Sequence, residues 1–142
     1  MSKENRLLEI RILFVDDMGI MRRAMENSLK EIGYVRLTEA RDGQAALALL
    51  NQQAFDLVIT DLDMPVLDGI GLLKAIKANE RLAKIPVLIV SAETERHKIV
   101  SAITNGAHGY IIKPFAIAKL KGKIDEILDK AELQATPPKT NK

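Results

Sequence analysis

Residues 57–63 read Leu-Val-Ile-Thr-Asp-Leu-Asp, four strand-forming residues running directly into a pair of acids. β-Branched and aliphatic side chains favour a pleated strand. The absence of polar alternation means that both faces of this strand are covered, as in a parallel sheet flanked by helices. The same reading applies outward along the chain. Ile12–Val15 runs into Asp16-Asp17, Val87–Val90 into Ser91, and Tyr110–Ile112 into Lys113-Pro114, with a weaker run at Val35–Thr38. The intervening segments repeat apolar residues at three and four: Met21, Met25, Leu29 and Ile32; Ala45, Ala46, Leu49 and Leu50; Leu72, Leu73 and Ile76; Ile99, Ala102 and Ile103; Leu120, Ile124, Ile127 and Leu128. Gly33 and Gly106 end helical stretches, Asp42-Gly43 opens one, and Pro86 precedes a strand. The order is βαβαβαβαβα. Each parallel crossover needs about a dozen residues or more, which a helix supplies, so the fold class is α/β, a five-stranded parallel sheet with five helices on both faces.

At 142 residues the chain is of single-domain size. Its 47% hydrophobic and 28% charged residues exclude disorder throughout. With no cysteine, disulfides, thiolate metal sites and thiol catalysis are excluded. A net charge of +2, no Trp and 4% aromatics provide neither a basic stripe nor stacking platforms, which disfavours direct nucleic-acid binding. The first residues carry Lys3, Glu4, Arg6 and Glu9 with no apolar run behind them, unlike a secretory signal. No uncharged stretch approaches the ~20 apolar residues of a membrane span, so a cytoplasmic location is expected. The predicted division is an N-terminal extension (1–10), a folded domain (11–131) and a flexible tail (132–142) containing Pro137-Pro138.

Open α/β sheets bind ligands beyond the carboxyl ends of their strands. Asp16, Asp17, Asp61, Asp63, Ser91 and Lys113 all fall there. Taken singly, each has an ordinary role: an Asp or Ser caps a helix and a Lys is solvated. Taken together they are three or four carboxylates, one hydroxyl and one ammonium converging on one rim. Adjacent carboxylates repel unless a cation compensates. Mg²⁺ suits them, because it takes oxygen ligands at roughly 2.1 Å and uses one or two carboxylates plus phosphate.

The segments ILFVDDMGIMRR, LVITDLDMPVLDGIGLL, IPVLIVSAE and GAHGYIIKPF together resemble the receiver domain of two-component response regulators, and more narrowly the CheY-like single-domain chemotaxis regulators. The likeness runs from about Ile12 to Leu128. It implies a flavodoxin-like strand order 2-1-3-4-5. It also implies Asp61 as phosphoacceptor and Mg²⁺ held by Asp17, Asp61 and the backbone carbonyl of Asp63, with Asp16 acting through water. Ser91 and Lys113 would serve the phosphoryl oxygens, and Ser91 and Tyr110 would form the switch. The implied donor is a sensor histidine kinase of the CheA type. The implied output runs through the fourth predicted helix, fifth strand and fifth helix to a downstream protein, with the flagellar motor switch as candidate. The chain is expected to be monomeric and to phosphorylate and dephosphorylate itself without turning over an external substrate. It departs from motor-binding relatives at two places. Leu62-Asp63 stands where they usually carry Trp-Asn, which is expected to add a carboxylate beside the metal and the phosphoryl group, and Ser91 where they usually carry Thr. Alternatives are a receiver belonging to a longer regulator with an output domain, and a haloacid dehalogenase-like phosphatase sharing the Asp61-Leu62-Asp63 pattern. Chain order opposes the phosphatase, whose D-x-D ends its first strand.

Overall fold

The computed structural model describes residues 2–135. Its elements are α1 (Lys3–Glu9), β1 (Arg11–Val15), α2 (Gly19–Ile32), β2 (Arg36–Ala40), α3 (Gly43–Gln52), β3 (Leu57–Thr60), α4 (Gly69–Ala78), β4 (Val87–Ser91), α5 (Arg96–Thr104), β5 (Gly109–Ile112) and α6 (Ile117–Ala135). The strands form one sheet of order β2-β1-β3-β4-β5, parallel throughout.

Strand side chains alternate between the two faces, and each face has its own core. Leu13, Val15, Val58, Val87 and Ile89 point to one side, against Ala46 and Leu50 of α3, Leu72, Leu73 and Ile76 of α4, and Ala102 of α5. Ile12, Phe14, Leu57, Ile59, Leu88, Val90 and Ile111 point to the other, against Met25 and Leu29 of α2 and Leu120, Ile124, Ile127 and Leu128 of α6. The unbroken apolar runs of β1, β3 and β4 are thus the strands covered on both faces, whereas β5, at one edge of the sheet, leaves Tyr110 half-buried and Ile112 exposed. The weaker run is β2, the strand at the other edge. Its residues are mostly exposed or half-buried, and it lies at Arg36–Ala40 rather than Val35–Thr38.

Two further boundaries differ from the sequence expectation. There are six helices among the described residues, because Lys3–Glu9 within the predicted extension is helical, capped by Ser2 Oγ accepting from the Asn5 N–H at 3.2 Å. Helix α6 continues to Ala135, past Ala131 where the tail was expected to begin. Arg6 of α1 holds Asp129 and Glu132 at 2.9 and 2.8 Å, which supports these last turns by tertiary pairing that no local pattern announces. Pro137-Pro138 lies outside the described residues.

Candidate functional site

Strand register places the site. Val15 of β1 pairs with Thr60 of β3, so Asp16 and Asp61, each one residue further on, emerge side by side. The Asp61 N–H donates to the Val15 carbonyl at 3.1 Å and the Asp16 N–H to the Ala40 carbonyl at 3.2 Å, extending both ladders to the acids. On the other flank Ser91 pairs with Ile112, and the Lys113 N–H donates to the Ser91 carbonyl at 2.9 Å. Four strand ends therefore deliver Asp16, Asp61, Ser91 and Lys113 to one rim. The Lys113–Pro114 peptide is cis.

Carboxylate oxygens of Asp16, Asp17 and Asp61 lie within 4.8 Å of one another. Lys113 Nζ donates to Asp16 Oδ2 at 2.8 Å and to Asp61 Oδ2 at 3.3 Å. Burial alone would push the Lys113 ammonium down. The hydrogen bond to Asp16 and the charges of Asp61 and Asp16 outweigh that effect and hold its pKa above the usual lysine value. The other oxygen of Asp61, Oδ1, accepts the Leu62 N–H at 2.7 Å, so the carboxylate is oriented at both ends. Asp16 Oδ1 accepts the Met18 N–H at 3.0 Å, at the start of α2, where Met18 has no capping side chain of its own. Asp16 thus performs the ordinary capping role alongside its place in the cluster. Asp42 and Asp68, by contrast, act as caps, accepting the N–H groups of Ala45 and Gly71, each at 2.8 Å.

The donor set fits a hard divalent cation. Three carboxylates against one ammonium leave two uncompensated negative charges at one rim. Asp16 is buried, Asp61 half-buried and Asp17 exposed, which leaves solvent-facing room for the several waters that Mg²⁺ retains. The Asp63 carboxylate is exposed and stands outside the trio. Its N–H points to Asp61 Oδ1 at 3.4 Å; the sequence reading expected both its backbone carbonyl as a metal ligand and its carboxylate beside the metal, and the carboxylate is not among the three that converge.

Ser91 is fully buried, and its hydroxyl accepts the Glu93 N–H at 3.2 Å. The half-buried Tyr110 donates its hydroxyl to the Glu93 carbonyl at 2.8 Å. The Glu93 carboxylate in turn accepts from Thr94 and Glu95 N–H and from Lys98 Nζ, at 3.1, 2.9 and 3.0 Å. The Glu95 N–H first, then Lys98, holds this carboxylate below its ordinary range. Ser91, Tyr110 and the loop after β4 are therefore physically joined.

Residues that the sequence did not single out complete the site. Gly69 opens α4 directly behind Asp61: a Cβ there would lie 2.2 Å from the Asp61 carbonyl oxygen and 2.8 Å from Leu62 Cα. Only glycine permits that approach. Arg22 of α2 donates to the Asp16 carbonyl at 2.8 Å and pairs with Glu39 at 2.6 Å, tying the acidic turn to β2. Beside Asp16, Asp61 and Lys113 opens a largely apolar cavity of about 510 Å³, walled by Met18, Met21, Met25 and Phe115.

Comparison with known proteins agrees with this geometry. Residues 12–125 match the response regulator receiver domain family. The chain belongs to that family. The receiver is 46% identical to chemotaxis protein CheY-3 of Vibrio cholerae over 121 residues, 85% of this chain and 93% of that one. To chemotaxis protein CheY of Pseudomonas aeruginosa it is 44% identical, over 85% of this chain and 98% of that one. Among solved structures, the chemotaxis response regulator CheY4 of Vibrio cholerae superposes with a TM-score of 0.76 at 30% identity, covering 83% of this chain and 98% of that one. The flavodoxin-like order 2-1-3-4-5 expected from the sequence is the order observed. No described helix is long and apolar enough to cross a membrane.

Proposed function

We propose that this receiver is the phosphorylation-dependent switch of a chemotaxis-type two-component system, with Asp61 as the phosphoacceptor. The observation that carries the reading is the setting of Asp61. One oxygen is held by the Leu62 N–H and the other faces Lys113 Nζ, within a trio of carboxylates that fits Mg²⁺. The Asp61 carboxylate attacks phosphorus. The phosphorus–nitrogen bond of a kinase phosphohistidine breaks, and an aspartyl phosphate forms. Lys113 neutralises charge on the phosphoryl oxygens and the Ser91 hydroxyl turns to donate to one of them, so catalysis is positioning plus charge compensation. Asp16, Asp17 and Asp61, with the Asp63 carbonyl, would hold Mg²⁺, which supplies further charge neutralisation when bound. Water later hydrolyses the acyl phosphate, which makes the protein a timed switch and not a turnover enzyme on an external substrate.

The same contacts support relay. Withdrawing the Ser91 hydroxyl from the Glu93 N–H loosens the loop that Tyr110 grips through the Glu93 carbonyl. A doubly charged phosphoryl group can thus bias that loop and the α5–β5–α6 face beside it. The phosphodonor is a CheA-type histidine kinase, the site of action is the cytoplasm, and the target is a protein such as the flagellar motor switch. A phosphotransfer assay from a phosphorylated CheA-type kinase tests the reading. Label should pass to the wild-type chain with Mg²⁺ present and not with chelator, and transfer to an Asp61→Asn variant would refute it.

A further inference from the structure

Helix α1 and the acidic face of α6 lie largely outside the segment that matches the receiver family, yet α1 buries one charged residue, Arg6, against half-exposed carboxylates of α6. The Arg6 residue is only 3% exposed. Its Nη2 donates to Asp129 Oδ1 at 2.9 Å and to Glu132 Oε2 at 2.8 Å, and its Nη1 stands 3.7 Å from Asp125 Oδ1. Asp125, Asp129 and Glu132 are spaced by four and three residues, so all three face the same side of α6. Lys121 Nζ also pairs with Asp125 at 2.9 Å, and Arg6 bridges Asp129 and Glu132, whose like charges would otherwise repel one another along the last turns of the helix. Arg6 is itself held in place. Leu7 packs over Gly33, where φ is +123° and a Cβ would come within 3.1 Å of Leu7 Cδ1. Arg36 Nε donates to the Leu8 carbonyl at 3.0 Å, anchoring the end of α1 at the start of β2.

The opposite side of α6 carries Lys123, Ile127, Lys130 and Ala131, which wall a groove against Ile103 of α5 and Tyr110 of β5. We infer that α1 is a built-in strap: through one buried guanidinium it keeps the C-terminal half of α6 folded and in position, and so sets the α6 wall of the α5–α6 groove. The strap follows from contacts alone. Its consequence for signalling rests on the reading of that groove as the output face.

The energetic asymmetry makes the inference testable. Arg6 is the buried member and Asp129 and Glu132 are half-exposed, so removing the two carboxylates strands a buried guanidinium, a loss that exceeds that of an exposed pair, while removing Arg6 takes the tie between α1 and α6 away. Hydrogen–deuterium exchange on the full chain, resolved by segment, reads the outcome in two reciprocal variants. Arg6→Met should speed exchange over residues 125–135 on the order of tenfold to a hundredfold, the loss of one charge-assisted hydrogen bond or two, with β1, β3 and β4 unchanged. The pair Asp129→Asn with Glu132→Gln sits at half-exposed positions and leaves the core intact. It should speed exchange over residues 3–9 while the sheet stays protected. Exchange within twofold of wild type in both segments would overturn the strap, as would a rise spread evenly over sheet and helices in both variants. Unchanged phosphoryl acceptance with a frayed α6 supports the strap, and loss of the proposed phosphorylation in wild type would refute only the signalling reading.

Discussion

Replacing Gly69 by Ala adds a single methyl group behind Asp61, and its cost can be worked from the geometry. The new Cβ would lie 2.2 Å from the Asp61 carbonyl oxygen, 2.8 Å from Leu62 Cα and 3.1 Å from the Asp61 carbonyl carbon. A carbon and a carbonyl oxygen approach no closer than about 3.3 Å. The start of α4 or the Asp61-Leu62 backbone must therefore move by roughly 1 Å, because every atom in the way is main chain and none can rotate aside. Overpacking of this kind costs about 1–3 kcal/mol of stability. Displacing a reacting group by about 1 Å can slow reaction on the order of a hundredfold. The control is Gly122→Ala on α6, where a Cβ meets nothing within 4 Å. That change should stabilise by up to about 1 kcal/mol, as expected of Ala for Gly in an exposed helix, and leave labelling alone. Urea unfolding and the rate of labelling by acetyl phosphate with Mg²⁺ read both effects. If Gly69→Ala unfolds within about 0.5 kcal/mol of wild type and labels at the wild-type rate, the tight packing of α4 on Asp61 does not position it.

Three further outcomes are expected. Lys113→Met should slow labelling of Asp61 on the order of a hundredfold or more while Mg²⁺ affinity, read by calorimetry, holds or rises, since the variant leaves Asp16 and Asp61 without their ammonium; weaker Mg²⁺ binding would contradict this charge accounting. Asp63→Asn should change Mg²⁺ affinity by no more than about threefold, the effect of a solvent-screened charge, whereas Asp17→Ala should abolish binding; a large effect of Asp63→Asn would bring its carboxylate into the metal site. His108 is exposed overall but its Nδ1 accepts the Val87 N–H at 3.2 Å, and partial desolvation first, with the Lys77 charge, holds the imidazole below its ordinary pKa. The unfolded chain therefore takes up this proton more readily, and stability should fall as pH drops below about 6.5 towards the folded value. His108→Gln should flatten that part of the stability–pH curve, and an unchanged slope would show that the bond does not depend on neutral imidazole.

What could be read in the sequence followed how local each signal was. Ile12–Asp17, Leu57–Asp63, Val87–Ser91 and Tyr110–Lys113 each carry an apolar strand and its functional end in one continuous stretch, so register alone assembled the rim. Edge strand β2 was misplaced by a residue or two because only one of its sides is paired and its residues alternate charge with partial burial. Helix α1 escaped notice because seven residues show too little periodicity, and Arg6 finds its partners 123 and 126 positions away. Gly69 could be read as a helix start, but its contact with the Asp61 carbonyl depends on how residues 61–69 fold back. Arg22 carries no sequence signal for its bond to the Asp16 carbonyl. The Asp63 carboxylate, two residues beyond Asp61 and expected beside the metal, stands apart from the acids that converge.

The central claim is that Asp61 alone accepts a phosphoryl group in a metal-dependent reaction. Incubation of the full chain with acetyl phosphate, followed by peptide mapping of the acyl phosphate, tests it most directly. One phosphoryl group should appear on Asp61 when Mg²⁺ is present, and none should appear with chelator or in Asp61→Asn. Acyl phosphate on Asp16, Asp17 or Asp63 in the wild-type chain, or labelling that proceeds equally without metal, would contradict the account.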